Sequence, residues 1–231
     1  GVNPHASPNV LIEDYFGHCG DDAVAVKTSH QLDIARPCYN VLVRDSIIMC
    51  LKTSLKFGTG TEEPISNIRY ENIDIINSSR GIGMWMRDGS RISEVTFKNI
   101  RMDLYEFPHE PLSGEAIRSF VAPRLGIGRV ENILFENMEV SSPWRSIIQG
   151  HPDKIIRGLT FRNCKWTATK RIRNEEPAPM FDISYAENIR FLDNEMHWSH
   201  PDSQWWTGFI KKENTEDILI RNLSDVPEQP E

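Results

Sequence analysis

Asn132-Ile133-Leu134-Phe135-Glu136-Asn137 is one copy of a pattern that runs the length of the chain: N, apolar, x, apolar, x, N or D. The other copies are NVLIED (from Asn9), NVLVRD (Asn40), NIRYEN (Asn67), EVTFKN (Glu94), GLTFRN (Gly158), NIRFLD (Asn188) and DILIRN (Asp217). The last position is Asn or Asp in all eight, and successive copies start 26 to 38 residues apart. Each copy alternates apolar and polar, which is strand periodicity. In the first, Val10 and Ile12 are expected to point inward, with Leu11 and Glu13 outward. The closing Asn or Asp suits a bend, because its side chain bonds nearby backbone and tolerates left-handed geometry. Stacked turns would set these residues in a ladder.

A second apolar strand follows most copies: AVAV (from Ala23), SLKF (Ser54), IGMWM (Ile82), AIRSF (Ala116), SIIQ (Ser146), MFDI (Met180) and GFI (Gly208). Short strands in a repeat of this length, with no helical pattern, predict an all-β solenoid. The LxxLxL spacing of leucine-rich repeats is absent, and propeller blades need four strands per repeat where two or three fit. About eight coils stacked roughly 4.8 Å apart give a rod on the order of 35–40 Å long. The insertion between Asp103 and Gly114, with Pro108 and Pro111, lengthens one coil and is expected to form a loop on one face. Residues 1–226 read as one β-helical domain and 227–231 as a frayed tail.

Composition sets outer bounds. The chain has 231 residues, 39% hydrophobic and 26% charged, with a mean hydropathy of −0.44. These values fit a folded domain with a sizeable core. No apolar run approaches the roughly 18–20 residues of a membrane span, so no membrane partner is expected. A net charge of −7 disfavours a nucleic-acid partner. Cys19, Cys38, Cys50 and Cys164 show no CxxC spacing, which argues against zinc. They read as buried small side chains, with one disulfide as the alternative.

Two segments carry a family resemblance. Asn3 to Thr28, NPHASPNVLIEDYFGHCGDDAVAVKT, resembles the stretch of glycoside hydrolase family 28 in which a coil-opening strand leads into Gly-Asp-Asp, here Gly20-Asp21-Asp22. Ser54 to Gly89, SLKFGTGTEEPISNIRYENIDIINSSRGIGMWMRDG, resembles the following coils of that polygalacturonase-like family. The resemblance continues more weakly to the C-terminus.

It implies a right-handed single-stranded parallel β-helix of the pectin lyase-like type. It also implies inverting hydrolysis of a pectic or other uronate-containing polysaccharide, without cofactor or metal, by a secreted or periplasmic monomer. Asp21 is implied as general acid and Asp22 as the base on water. A third family aspartate sits in an Asn-x-Asp-Gly motif whose glycine is matched by Gly1, so the chain is expected to start inside the active-site coil and to be poorly active by itself. The pattern departs at two places. Thr53-Ser54 stands where His-Gly is usual, and Gly83 and Trp85 stand at the phase of Arg-x-Lys.

The chemistry of the residues is read beside this. Inversion needs two carboxyl groups about 6.5–9.5 Å apart, one protonated and one ionised. Adjacent strand residues point oppositely, so Asp21 and Asp22 need a backbone turn, which Gly20 permits. Without its flanking match, Gly-Asp-Asp is equally a turn with two solvated carboxylates. Lys27, Lys56 and Arg118 fall on outward positions of second strands, and Arg87 follows Trp85 near the end of one. Stacking would bring these cations together to bind uronate carboxylates, or leave them on an ordinary solvated face. Trp85 offers a platform for a sugar ring, or is covered by a neighbour. His18 precedes Gly-Asp-Asp and is either a substrate contact or structural. Glu115 and Arg124 either line the cleft or pair with each other, the second being preferred. Trp205 and Trp206 read as packing. A polysaccharide lyase and a non-catalytic glycan-binding β-helix are the rival functions.

Overall fold

The structure, a computed structural model, describes residues 1–30, 36–107, 114–170, 177–198 and 206–224. Pro108 and Pro111 of the insertion, Trp205 and the tail 227–231 lie outside the described residues. Sixteen strands are present, with no α-helix, among the described residues. They are β1 (Pro8–Glu13), β2 (Phe16–Cys19), β3 (Val24–Thr28), β4 (Cys38–Cys50), β5 (Thr53–Thr61), β6 (Ile65–Ser78), β7 (Arg80–Asp88) and β8 (Arg91–Leu104). Then come β9 (Glu115–Gly126), β10 (Arg129–Glu136), β11 (Glu139–Ser142), β12 (Ser146–Gln149), β13 (Ile156–Arg162), β14 (Lys165–Ala168), β15 (Phe181–Trp198) and β16 (Ile210–Ser224).

All strand pairings are parallel, and the chain winds as a right-handed parallel β-helix with three faces. The repeated motif forms the first face, in the order β1-β4-β6-β8-β10-β13-β15-β16. The second face holds β2, the later halves of β4, β6 and β8, then β11, β14 and the end of β15. The third holds β3, β5, β7, β9, β12 and the openings of β15 and β16. These third-face strands are the second apolar runs read from the sequence. The eight motif copies bound seven complete turns, one fewer than the coil count expected.

The corners explain the motif. The closing Asn or Asp of every copy has a positive φ, from Asp14 (53°) through Asn137 (54°) to Asn222 (55°). So does the opening residue, which the sequence pattern did not mark as a bend: Asn9 (59°), Asn40 (56°), Glu94 (55°), Gly158 (64°) and the rest. Each motif strand is thus a short straight segment between two left-handed corners. Asn bears this conformation at lower cost than most residues, and its side chain spends its polarity along the axis. Asn40 donates to Asn9 (2.9 Å) at the opening corner, while Asn163 donates to Asn137 (2.8 Å) and Asn137 to Asn99 (3.1 Å) at the closing one.

Inside the first face, register brings like residues into rows. Val41, Ile68, Val95, Ile133, Leu159 and Ile189 form one; Val43, Tyr70, Phe97, Phe135, Phe161 and Phe191 form the next. From Tyr70 to Phe191 the rings stack with centroids 4.5–5.1 Å apart and planes within 8°. That spacing is the strand separation itself, so the backbone ladder sets the aromatic stack. Val10 and Ile12 face the same interior at the first rung and are half-buried against the core. All four cysteines are unpaired. Cys38, Cys50 and Cys164 are buried, and burial pushes the Cys50 thiol up to about 11 and the Cys164 thiol up to about 12.

Candidate functional site

The outward residues of the three faces differ in charge pattern. On the first face Glu13, Arg44, Glu71, Lys98, Glu136 and Arg162 are successive register neighbours of alternating sign. Arg44 bonds Glu13 at 2.7 Å, and Glu136 takes both Lys98 (3.3 Å) and Arg162 (3.2 Å). The second face repeats the device with Asp74, Arg101, Glu139, Lys165 and Glu195. A shallow depression of about 340 Å³ on the second face is lined by Asp74, Arg101, Glu139 and Lys165, and one of the same volume on the first face by Arg69, Thr96, Leu134, Thr160 and Arg162. Such ladders neutralise themselves and help hold register.

The third face breaks the alternation. Its outward row reads Ala25, Lys56, Gly83, Arg118, Ile147, Asp182 and Lys211. Beside it, where the second face turns into the third, lies a corner row of Asp22, Thr53, Arg80 and Glu115. Every member of the corner row is buried.

Asp22 is clamped. Its Oδ2 accepts from Lys56 Nζ at 2.5 Å and its Oδ1 from the Thr53 backbone N–H at 3.2 Å. Both side chains of the ion pair are only 10% exposed. The Lys56 ammonium also sits 4.3 Å from the centre of the Trp85 ring, and the Arg80 guanidinium 5.5 Å from it. Arg80 Nε donates to Thr53 Oγ1 at 3.2 Å. Gly83 makes this assembly possible: a Cβ there would lie 2.9 Å from Thr53 Cγ2 and 3.4 Å from Trp85 Nε1. Thr53, Gly83 and Trp85 therefore build the setting of Asp22.

Asp21 is exposed, and its carbonyl accepts from the Cys50 thiol at 2.8 Å. The bend at Gly20-Asp21 thus separates the two carboxyl groups, one in solvent and one buried. Of the sequence-predicted residues, Asp22, Lys56 and Trp85 come together and Arg118 shares the outward row with Lys56. Lys27 is half-buried on β3, but register seats Ala25 beside Lys56 and places Lys27 two positions further along. Arg87 is half-buried near the end of β7, its backbone N–H bonded to Thr61 Oγ1 at 3.0 Å. His18 is exposed on the second face beside Met49, away from the third-face row. Trp85 is half-buried and turns its ring to Lys56 and Arg80. Trp206 is buried with its ring 5.5 Å from Trp198, a packing role.

Glu115 and Arg124 do not pair, contrary to the preferred expectation. Arg124 makes a bidentate bridge to Asp88 at 2.7 and 2.8 Å, and Asp88 also takes the Thr61 N–H at 2.9 Å. Glu115 faces Arg118 at 3.4 Å instead. Sequence reasoning missed Arg80 and Thr53. Their signal is position: Thr53, Arg80 and Glu115 are the first residues of β5, β7 and β9, and Asp22 stands just ahead of β3.

Glu115 is 1% exposed, and neither carboxyl oxygen makes a hydrogen bond. Burial raises its carboxyl from the ordinary 4.5 to about 7, against the pull of Arg118, Arg80 and Arg145. Between pH 4.5 and 7 the folded protein therefore keeps a proton that the unfolded chain has released. Stability falls as pH rises through that window, by about 3 kcal/mol in all, and is flat above it as far as this group is concerned. Glu115→Gln is expected to remove that fall and to be more stable than wild type at pH 8. Urea denaturation of both proteins from pH 5 to 8 checks this; parallel pH profiles would contradict it.

The chain matches no model of a known protein family and no curated protein.

Proposed function

We propose that this protein is an inverting glycoside hydrolase acting on a uronate-containing, pectin-like polysaccharide, with Asp21 as general acid and Asp22 as base on the attacking water. The observation that carries the reading is the division of labour at one corner: Asp22 is held as the buried partner of Lys56 while the adjacent Asp21 is free in solvent. Inversion asks for two carboxyl groups in different environments, one ionised beside a water and one able to reach the leaving oxygen. The part-exposed Arg118 and Arg145 supply cations that favour an acidic polymer. The resemblance of Asn3–Thr28 and Ser54–Gly89 to glycoside hydrolase family 28 supports the same reading.

Asp21→Asn gives the cleaner test, since Asp21 is exposed and outside the clamp. In the full-length polypeptide this change is expected to lower the release of reducing ends from polygalacturonate by about 10²–10⁴-fold with unfolding unchanged. A binding-only role is favoured by one observation, the occupation of both Asp22 oxygens by Lys56 and Thr53. It predicts polymer binding without new reducing ends in wild type and variant alike.

A further inference from the structure

Two carboxylates of the third face illustrate opposite fates of a buried acid. Asp88 is fully served, by a bidentate arginine and a backbone N–H, and its position is explained by those bonds. Glu115 is as deeply buried yet accepts no hydrogen bond, although arginines come at it from three neighbouring elements. Arg118 approaches from its own strand β9, Arg80 from β7, and Arg145 from the segment before β12. A buried carboxyl among guanidiniums ordinarily draws at least one of them into a short bidentate bridge. Here the nearest, Arg118, reaches only 3.4 Å and makes no hydrogen bond to it.

What holds the guanidiniums is visible. The Arg118 guanidinium lies 5.8 Å from the Phe120 ring centre and the Arg145 guanidinium 5.4 Å from that of Trp144. Arg145 also reaches Asp182 at 3.5 Å, and its Nε is buried without a hydrogen bond. Both arginines keep part of their surface in solvent, 19% for Arg118 and 34% for Arg145. The result is two aromatic-backed guanidinium groups with unused donors, open to solvent on one side and backed on the other by a carboxyl that accepts no hydrogen bond. Lys56, two rungs from Arg118 in the same row, is by contrast saturated by Asp22.

We propose that Arg118 and Arg145, set over the buried Glu115, form an anion subsite that takes a carboxylate of an acidic saccharide lying across the coils of the third face. This rests on the reading of the substrate as a uronate polymer. The guanidiniums are the ligand-contacting groups, and Glu115 is a positioning residue beneath them. When Glu115 is ionised it competes with the ligand for Arg118; when it takes up a proton that competition ends. Saccharide binding therefore strengthens as pH falls through the range in which Glu115 titrates. Arg118, Arg80 and Arg145 are the charged groups that face it.

The test is calorimetric titration of the chain with trigalacturonate at pH 5.5 and pH 8, with galactotriose as the uncharged comparison. Wild type is expected to bind trigalacturonate about tenfold more tightly at pH 5.5, the size of a one-unit coupling between charges, and galactotriose not at all. Glu115→Gln is expected to bind at both pH values as wild type does at pH 5.5. Arg118→Gln and, at the exposed rim, Arg145→Gln are each expected to lose most of the binding while keeping the wild-type far-ultraviolet circular dichroism. Undiminished binding in a folded Arg118→Gln or Arg145→Gln protein overturns the subsite. So does a full pH dependence in Glu115→Gln, or absence of trigalacturonate binding by wild type at both pH values. The hydrolase reading is judged separately, on reducing ends lost in Asp21→Asn. A variant that stops cleaving but still binds would leave the subsite standing, and an enzyme indifferent to Arg118→Gln would leave only the hydrolase.

Discussion

Lys56→Met is expected to destabilise the fold by about 3–5 kcal/mol, because it leaves the Asp22 carboxylate buried without its counter-charge. The pair is closed at 2.5 Å and both side chains are nine-tenths buried, so solvent cannot take over the role of the lost ammonium. The change also removes the cation from the Trp85 ring. A buried pair is worth far less as a pair than the loss of one member suggests, since both charges were stripped of water to form it. The double variant Asp22→Asn, Lys56→Met is therefore expected to recover most of the lost stability. Urea denaturation of the two single variants and the double variant closes the cycle. A Lys56→Met cost below about 1 kcal/mol, the range of exposed ion pairs, would show that water reaches the pair. The same argument limits what Asp22 variants say about catalysis: their losses mix chemistry with folding, which Asp21 variants avoid.

Phe161→Ala is expected to cost about 3–5 kcal/mol by emptying the middle of the aromatic stack. Phe161 is fully buried, with ring centres 4.5 Å from Phe135 and 4.7 Å from Phe191, and it also meets Trp166 and Phe181. Those neighbours are fixed to strands at constant spacing, so they cannot close over the cavity. In a solenoid each coil leans on its neighbours alone, and a weakened middle coil divides the rod. Thermal and urea unfolding are expected to broaden or split as well as to shift. Leu11→Ala serves as the contrast, being 53% exposed on the first rung, with an expected change within about 0.5 kcal/mol. Equal effects of the two substitutions would mean that the stack is not what joins the coils.

The fold was legible because one physical demand recurs every coil. A strand that must bury two apolar residues and then turn sharply writes apolar-x-apolar-x-Asn, and eight repetitions leave little room for another architecture. The opening corner was harder to read. Glu94 and Gly158 stand there among asparagines, and only the backbone shows that Glu94 adopts the same left-handed turn, at 55°. The site was legible in part. Alternation identified Lys56 and Arg118 as outward and register made them one row, yet the same register seats Ala25, not Lys27, beside Lys56, an offset that no periodicity announces. Alternation left Trp85 as either a sugar platform or a covered side chain; the cations over its ring, from Lys56 on the preceding coil and Arg80 five residues earlier, were not legible. Glu115 pairs with Arg118, three residues on, instead of Arg124, because Asp88 on the neighbouring coil claims Arg124 first. Contacts between coils depend on loop lengths that differ from turn to turn, and those lengths, unlike the strand pattern, are not periodic.

The most direct measurement is the incubation of the full-length polypeptide with polygalacturonate, reading reducing ends and the absorbance of unsaturated products together, beside its Asp21→Asn variant. New reducing ends without unsaturation, lost in a variant that unfolds like wild type, are the predicted result. Unsaturated products, or cleavage that survives Asp21→Asn, would contradict a hydrolase centred on Asp21 and Asp22.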